Sequence, residues 1–287
     1  MQREMGTKNK RSGRGAKFYV NGVTGADTLD TGRGESAAKP FKTIQAAVEY
    51  IASNYNVNKF IASISIASGT YTENVNLPKY TATTGVIELK GDPENRGNVV
   101  IQGCIAGAQS VGRWDIQYLT IKNRTGMPSL GSNNYYGVLS QPGATVYLRN
   151  CAIDISEAAP DGRIKVAVYA GGGEIQIRSL DDSVGLSIVD DGEGTTSRIL
   201  YGSQGGSISM VADINLNVSV NVAVLSLLGV SIFSVTTGSG IAPKFTGNAT
   251  GKRYDVRENS IAATGGRGTE FFPGTIAGTT STGGQYT

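Results

Sequence analysis

The sequence predicts an all-β chain, a right-handed single-stranded parallel β-helix closed at its N-terminal end by one capping helix. Three observations predict it. Short Val- and Ile-rich runs recur throughout, separated by Gly, Asn, Asp or Pro; several of these runs are near-copies at the spacing of solenoid coils; and a single amphipathic helix lies near the start.

Composition agrees with many short strands and tight turns. Of 287 residues, 39% are hydrophobic and 17% charged, and 40 are glycine, about twice the usual share. The net charge of +3 is unevenly placed. Residues 1–17 hold Arg3, Lys8, Lys10, Arg11, Arg14 and Lys17 against Glu4, so the rest of the chain carries about −2. We read residues 1–17 as a basic flexible linker or the end of a longer protein. With no aromatic group in the first 17 residues to stack on bases, and an acidic body, no nucleic-acid partner is expected. Cys104 and Cys151 read as buried thiols rather than a disulfide framework. The first residues lack the apolar run of a signal peptide, and residues 218–235 are broken by Ser, Asn and Gly, so no membrane span is expected.

Order begins at residue 18, where Phe18, Tyr19 and Val20 form a strand. The capping helix is placed at 40–52: Pro40 suits a first turn, and Phe41, Ile44, Val48 and Ile51 recur at three- and four-residue steps. Residues 61–67 open the first coil. Strand candidates follow from 75–77 to 230–233, and no second long amphipathic helix interrupts them. Segments 138–148, 168–177, 200–210 and 224–232 resemble one another. They align Val146, Ile175, Ile208 and Val230, at intervals of 29, 33 and 22 residues. A β-sandwich also uses short strands, but it explains neither the near-copies nor the lone helix. The β-helix is placed at 18–250.

The beginning and the end of the chain carry two resemblances. Phe18-Tyr19-Val20-Asn21, Gly25-Ala26-Asp27 and Lys39-Pro40-Phe41-Lys42-Thr43-Ile44-Gln45-Ala46-Ala47-Val48 resemble the entry motif of pectate-lyase-like β-helix proteins, and Ile66-Ala67-Ser68-Gly69-Thr70-Tyr71 resembles the turn that opens their first coil. That resemblance implies the fold and a capping helix, not a chemistry. Gly251-Lys252-Arg253-Tyr254-Asp255-Val256, Ser260-Ile261, Gly265-Gly266-Arg267-Gly268, Phe271-Phe272-Pro273-Gly274 and Gly283-Gly284-Gln285-Tyr286 resemble the C-terminal segment of tail-fibre and tailspike proteins of phages and prophages. This second resemblance implies a homotrimer at the distal end of a virion tail, with other tail proteins and a host-surface polysaccharide as partners. Residues 251–287 hold eight glycines among aromatic groups that need a surface, and we assign them to trimerisation or an end cap, favouring intersubunit packing.

No histidine is present, which removes imidazole bases, Ser-His-Asp catalysis and His-based zinc sites. No cofactor or metal is expected. Carboxylates remain: Glu174, Asp181, Asp182, Asp190, Asp191 and Glu193 are the candidates for a glycosidase acid–base pair, and the same residues also suit solvated turns. Arg163, Lys165 and Arg178 are the basic groups a lyase would draw on. Tyrosine is the commonest aromatic, 13 against seven Phe and one Trp. Asn133, Asn134, Tyr135, Tyr136 and Tyr169 are the candidates for glycan contact, through sugar C–H faces on rings and hydroxyls on sugar oxygens. The sequence therefore points to a structural, host-receptor-binding tail component. A polysaccharide depolymerase, hydrolase ahead of lyase, and a bacterial surface adhesin are the alternatives.

Overall fold

Each Val/Ile run buries alternate side chains and exposes the others, and runs that are too short to bury a face alone do so by stacking. In the computed structural model they stack as a right-handed parallel β-helix of the pectate-lyase-like kind. The structure describes residues 11–12, 15–80, 82, 84–107, 112–124, 134–157, 163–181, 184–190, 197–220, 222–237 and 242–287. Three parallel sheets of ten, seven and eight strands run along the solenoid, and the coils from Ile61–Ile66 through Tyr254–Val256 visit them in that order; the last turn, Ile261–Ala263 and Thr279–Thr280, adds no strand to the seven-stranded sheet. The first coil is Ile61–Ile66, Gly69–Tyr71 and Val75–Leu77.

The interior is built of ladders. On the ten-stranded sheet Ala62, Ile87, Trp114, Val146, Ile175, Ile208, Phe233 and Ala262 stand in register, one per coil, all fully buried. Each large member contributes about 1.5–3 kcal/mol by leaving water. The register confirms the alignment of Val146 with Ile175 and Ile208, and corrects the fourth member. Phe233, not Val230, continues the ladder, while Val230 lies outside it with φ 60° and 63% exposure. A sequence comparison cannot see that Gly229 and Val230 form the turn before the strand rather than part of it.

The helix runs over Ile44–Asn54, beginning four residues after the expected start at Pro40. Phe41 instead bridges Val20 in extended conformation, with its N–H donating to the Tyr19 carbonyl. Carboxylates fix where the helix starts. Asp27 Oδ1 accepts from the N–H groups of Lys42 and Thr43, and Thr43 Oγ1 accepts from Ala46 N as the N-cap. Glu73, from the first coil, takes the N–H groups of Ile44 and Gln45, both at 2.9 Å. Ile44, Ala47, Val48, Ile51 and Ala52 then cover the first coil. Gly25 is needed here because a Cβ would overlap the carbonyl oxygens of Phe41 and Asn21.

Strands continue beyond residue 250: Tyr254–Val256, Ile261–Ala263, Thr279–Thr280 and Gln285–Tyr286 extend two of the sheets. The aromatic groups of this segment find their surface in their own chain. Phe272 is fully buried, edge-on to Phe233 at 5.0 Å, and Tyr286 stacks on Tyr254 at 4.3 Å. Ile276 of the same segment stays 58% exposed. Both cysteines are free, buried thiols, and burial pushes Cys151 up to about 11. Among the described residues no helix is long and apolar enough to cross a membrane.

Candidate functional site

The outward positions of the ten-stranded sheet carry most of the site. Strands Val86–Lys90, Arg113–Gln117, Thr145–Arg149 and Glu174–Arg178 point Ile and Val inward, so their alternate residues must point out, and register lines those up across coils. The central outward row is Glu88, Asp115, Tyr147 and Gln176; beside it run Lys90, Gln117, Arg149 and Arg178.

Tyr147 is the hub. The guanidinium carbons of Arg113, from the coil before, and Arg178, from the coil after, stand 4.6 and 4.7 Å from its ring centroid, and that of Arg149 stands at 5.4 Å. Asp115 accepts from Arg113 Nε at 2.8 Å and pairs with Arg149 at 3.0 Å. Its pKa is nevertheless raised, because burial outweighs the two guanidinia, and its side chain is 2% exposed. Glu88 accepts from Ser63 Oγ and from Gln117 Nε2, the latter at 3.3 Å. Glu174 accepts from Gln176 Nε2 at 2.5 Å, and Arg178 Nε donates to Gln176 Oε1 at 2.9 Å. Arg149 Nε is buried with no hydrogen-bond partner among the described residues.

A cleft of about 390 Å³ opens beside the Arg149–Arg178 row, where the chain bends from the ten-stranded to the seven-stranded sheet. Tyr118 and Asn150 make that bend in the left-handed region, with φ 53° and 54°. Both line the cleft together with Pro93, Glu94, Asn95, Arg96, Asp181 and Val184. Asn150 ties the corner: its Nδ2 donates to Asp181 Oδ1 at 2.9 Å and its Oδ1 accepts from Leu180 N at 2.9 Å. Arg96 donates to the Cys151 carbonyl and to Ser187 Oγ, at 3.0 and 2.7 Å. Burial and the charge of Asp181 push the Tyr118 hydroxyl up, with Arg149 pulling the other way, so all three groups share one electrostatic neighbourhood.

No protein-family model, curated protein or solved structure matches this chain.

Of the sequence candidates, Asp181 lines the cleft and Glu174 lies on the outer face. Asp190 is fully buried in an ion pair with Lys165, with no side-chain surface open to solvent. Asp182, Asp191 and Glu193 lie outside the described residues, as does Asn133. The structure does bring Tyr136 and Tyr169 together, on the eight-stranded sheet, and adds Tyr201: the rings stack at 4.8 Å with interplanar angles of 12° and 16°. Arg198 covers Tyr201 at 4.6 Å, so the ring faces are largely taken up by one another, and only edges and hydroxyls are left for a ligand. Tyr169 OH already shares a hydrogen bond with Ser203 Oγ, and Asn134 Nδ2 donates to Tyr136 OH. Tyr135 and Tyr136 are buried, Tyr135 beneath Arg163.

Sequence reasoning missed Arg113, Arg149, Tyr118 and Asn150. The signal was present in the aligned strands Thr145–Arg149 and Glu174–Arg178, where the same comparison that pairs Val146 with Ile175 also pairs Arg149 with Arg178.

Proposed function

We propose that this chain is a structural and host-receptor-binding component of a phage or prophage tail, recognising a cell-surface glycan through the outer face of the ten-stranded sheet and the adjoining cleft. The observation that carries the glycan reading is the Arg113–Tyr147–Arg178 stack, set beside Gln176, Arg149 and the Asp181 cleft. Planar donors, amides and carboxylates on a rigid sheet are the groups that hold sugar hydroxyls in fixed directions. The tail assignment draws on the resemblance of residues 251–287 to tail-fibre and tailspike proteins. A depolymerase draws less support: among the described carboxylates of this face and cleft, Asp115 is held by two arginines, Glu88 by Ser63 and Gln117, Glu174 by Gln176 and Asp181 by Asn150.

Pull-down on host cells and on the same cells stripped of surface polysaccharide tests the reading. Retention on intact cells and loss on stripped cells is expected; equal retention on both contradicts it. Native mass measurement tests the homotrimer, and a monodisperse monomer rejects that assembly.

A further inference from the structure

Arg149 and Arg178 are direct register partners on adjacent coils, both pointing outward. Rungs of a sheet lie about 4.8 Å apart, and like charges placed directly opposite destabilise the pair. The fold offers little to offset them. Asp115 is one carboxylate shared between Arg113 and Arg149, and Glu88, its register neighbour on the coil before, is bound by Ser63 and Gln117 rather than by an arginine. Among the described residues Arg178 pairs with no carboxylate; its partners are the neutral Gln176 Oε1 and the Tyr147 ring. Glu174 is turned to Gln176 and Thr145 at the far end of the strand, and Asp181 to Asn150 and Ser179.

We infer that Arg149 and Arg178 form an anion-binding site, seating a carboxylate, sulfate or phosphate substituent of an acidic polysaccharide whose sugars extend into the Asp181 cleft. This rests on the glycan reading above and names the class of glycan. Arg178, whose Nε is taken by Gln176, keeps its two Nη groups for one anionic group, and Arg149, held to Asp115 through Nη2, adds a second positive charge one rung away, a geometry that Arg178→Lys reproduces only in part. Single-stranded nucleic acid fits poorly, because the Tyr147 faces that would stack bases are covered by Arg113 and Arg178.

The test measures binding of the full chain to polygalacturonate, dextran sulfate, neutral dextran, an oligonucleotide and purified host polysaccharide, with Arg178→Gln and Arg178→Lys variants whose melting temperatures are followed in parallel. Carboxylate and sulfate probes distinguish the source of the anion. Acidic glycans are expected to bind in preference to dextran, roughly tenfold more weakly in Arg178→Gln and partly recovered in Arg178→Lys, and to weaken with salt. Unchanged binding by a folded Arg178→Gln overturns the site, as does equal binding of the oligonucleotide. Tight binding of neutral host polysaccharide, indifferent to Arg178, overturns the acidic class and leaves the glycan reading standing. Failure of every glycan to bind overturns both.

Discussion

Lys165 Nζ and Asp190 Oδ1 lie 2.7 Å apart, and neither side chain has any exposure to solvent. The pair joins neighbouring coils at the corner between the seven- and eight-stranded sheets: Asp190 ends Leu186–Asp190, and Lys165 opens Lys165–Gly171. Removing one partner strands a charge in the interior. Lys165→Met is therefore expected to cost about 3–5 kcal/mol, whereas Lys165→Met with Asp190→Leu recovers most of that loss. Urea unfolding measures both, and a single variant as stable as the parent contradicts the pairing.

Neighbouring residues of one strand test the inward and outward assignment. Ile188 is fully buried in the ladder between Ile153 and Leu216, and Val189, next in sequence, is 39% exposed. Ile188→Ala is expected to cost about 2–5 kcal/mol and Val189→Ala within about 0.5 kcal/mol. Equal costs, read from thermal or urea midpoints, reject the register.

The helix cap gives a pH dependence. Burial raises the Glu73 carboxyl above its ordinary value of 4.5, against the lowering effect of the Gln45 and Ile44 N–H groups. Between that ordinary value and the raised one, the native protein holds more proton than the unfolded chain, so Glu73 makes stability fall as pH rises through this window. Asp115, raised from 3.8 by burial, acts in the same direction. Glu73→Gln is expected to flatten the slope of stability against pH from about 4.5 upward, while lowering stability by about 1 kcal/mol through the weakened cap. An unchanged slope in urea titrations across pH 4–7 contradicts the assignment.

The fold was legible because a β-helix writes its period into sequence: the Val146, Ile175 and Ile208 ladder could be aligned without coordinates. Strand Phe245–Thr250 is not among the sequence candidates, since Gly247 and Asn248 are poor strand formers; it is a strand because Ile214–Ser219 offers it a complete edge. The surface under the C-terminal aromatics was not legible either, because only the folded last coils bring Phe233 and Phe245 against Phe272. The candidate site was legible in part. Asp181 and Tyr169 were found as residue types, but Asp190 could not be recognised as buried until Lys165 stood beside it. The Arg149–Arg178 contact crosses 29 residues, and only strand register brings it together.

Hydroxyl-radical footprinting of the full chain with and without host polysaccharide, read by mass spectrometry at tyrosine side chains, tests the central claim most directly. Tyr147 and Tyr118 mark the proposed face and cleft, and Tyr169 and Tyr201 mark the stack on the eight-stranded sheet. Protection of Tyr147 and Tyr118 with unchanged labelling of Tyr169 and Tyr201 is the expected result. Protection confined to Tyr169 and Tyr201, or no protection at any of the four under saturating glycan, contradicts the account.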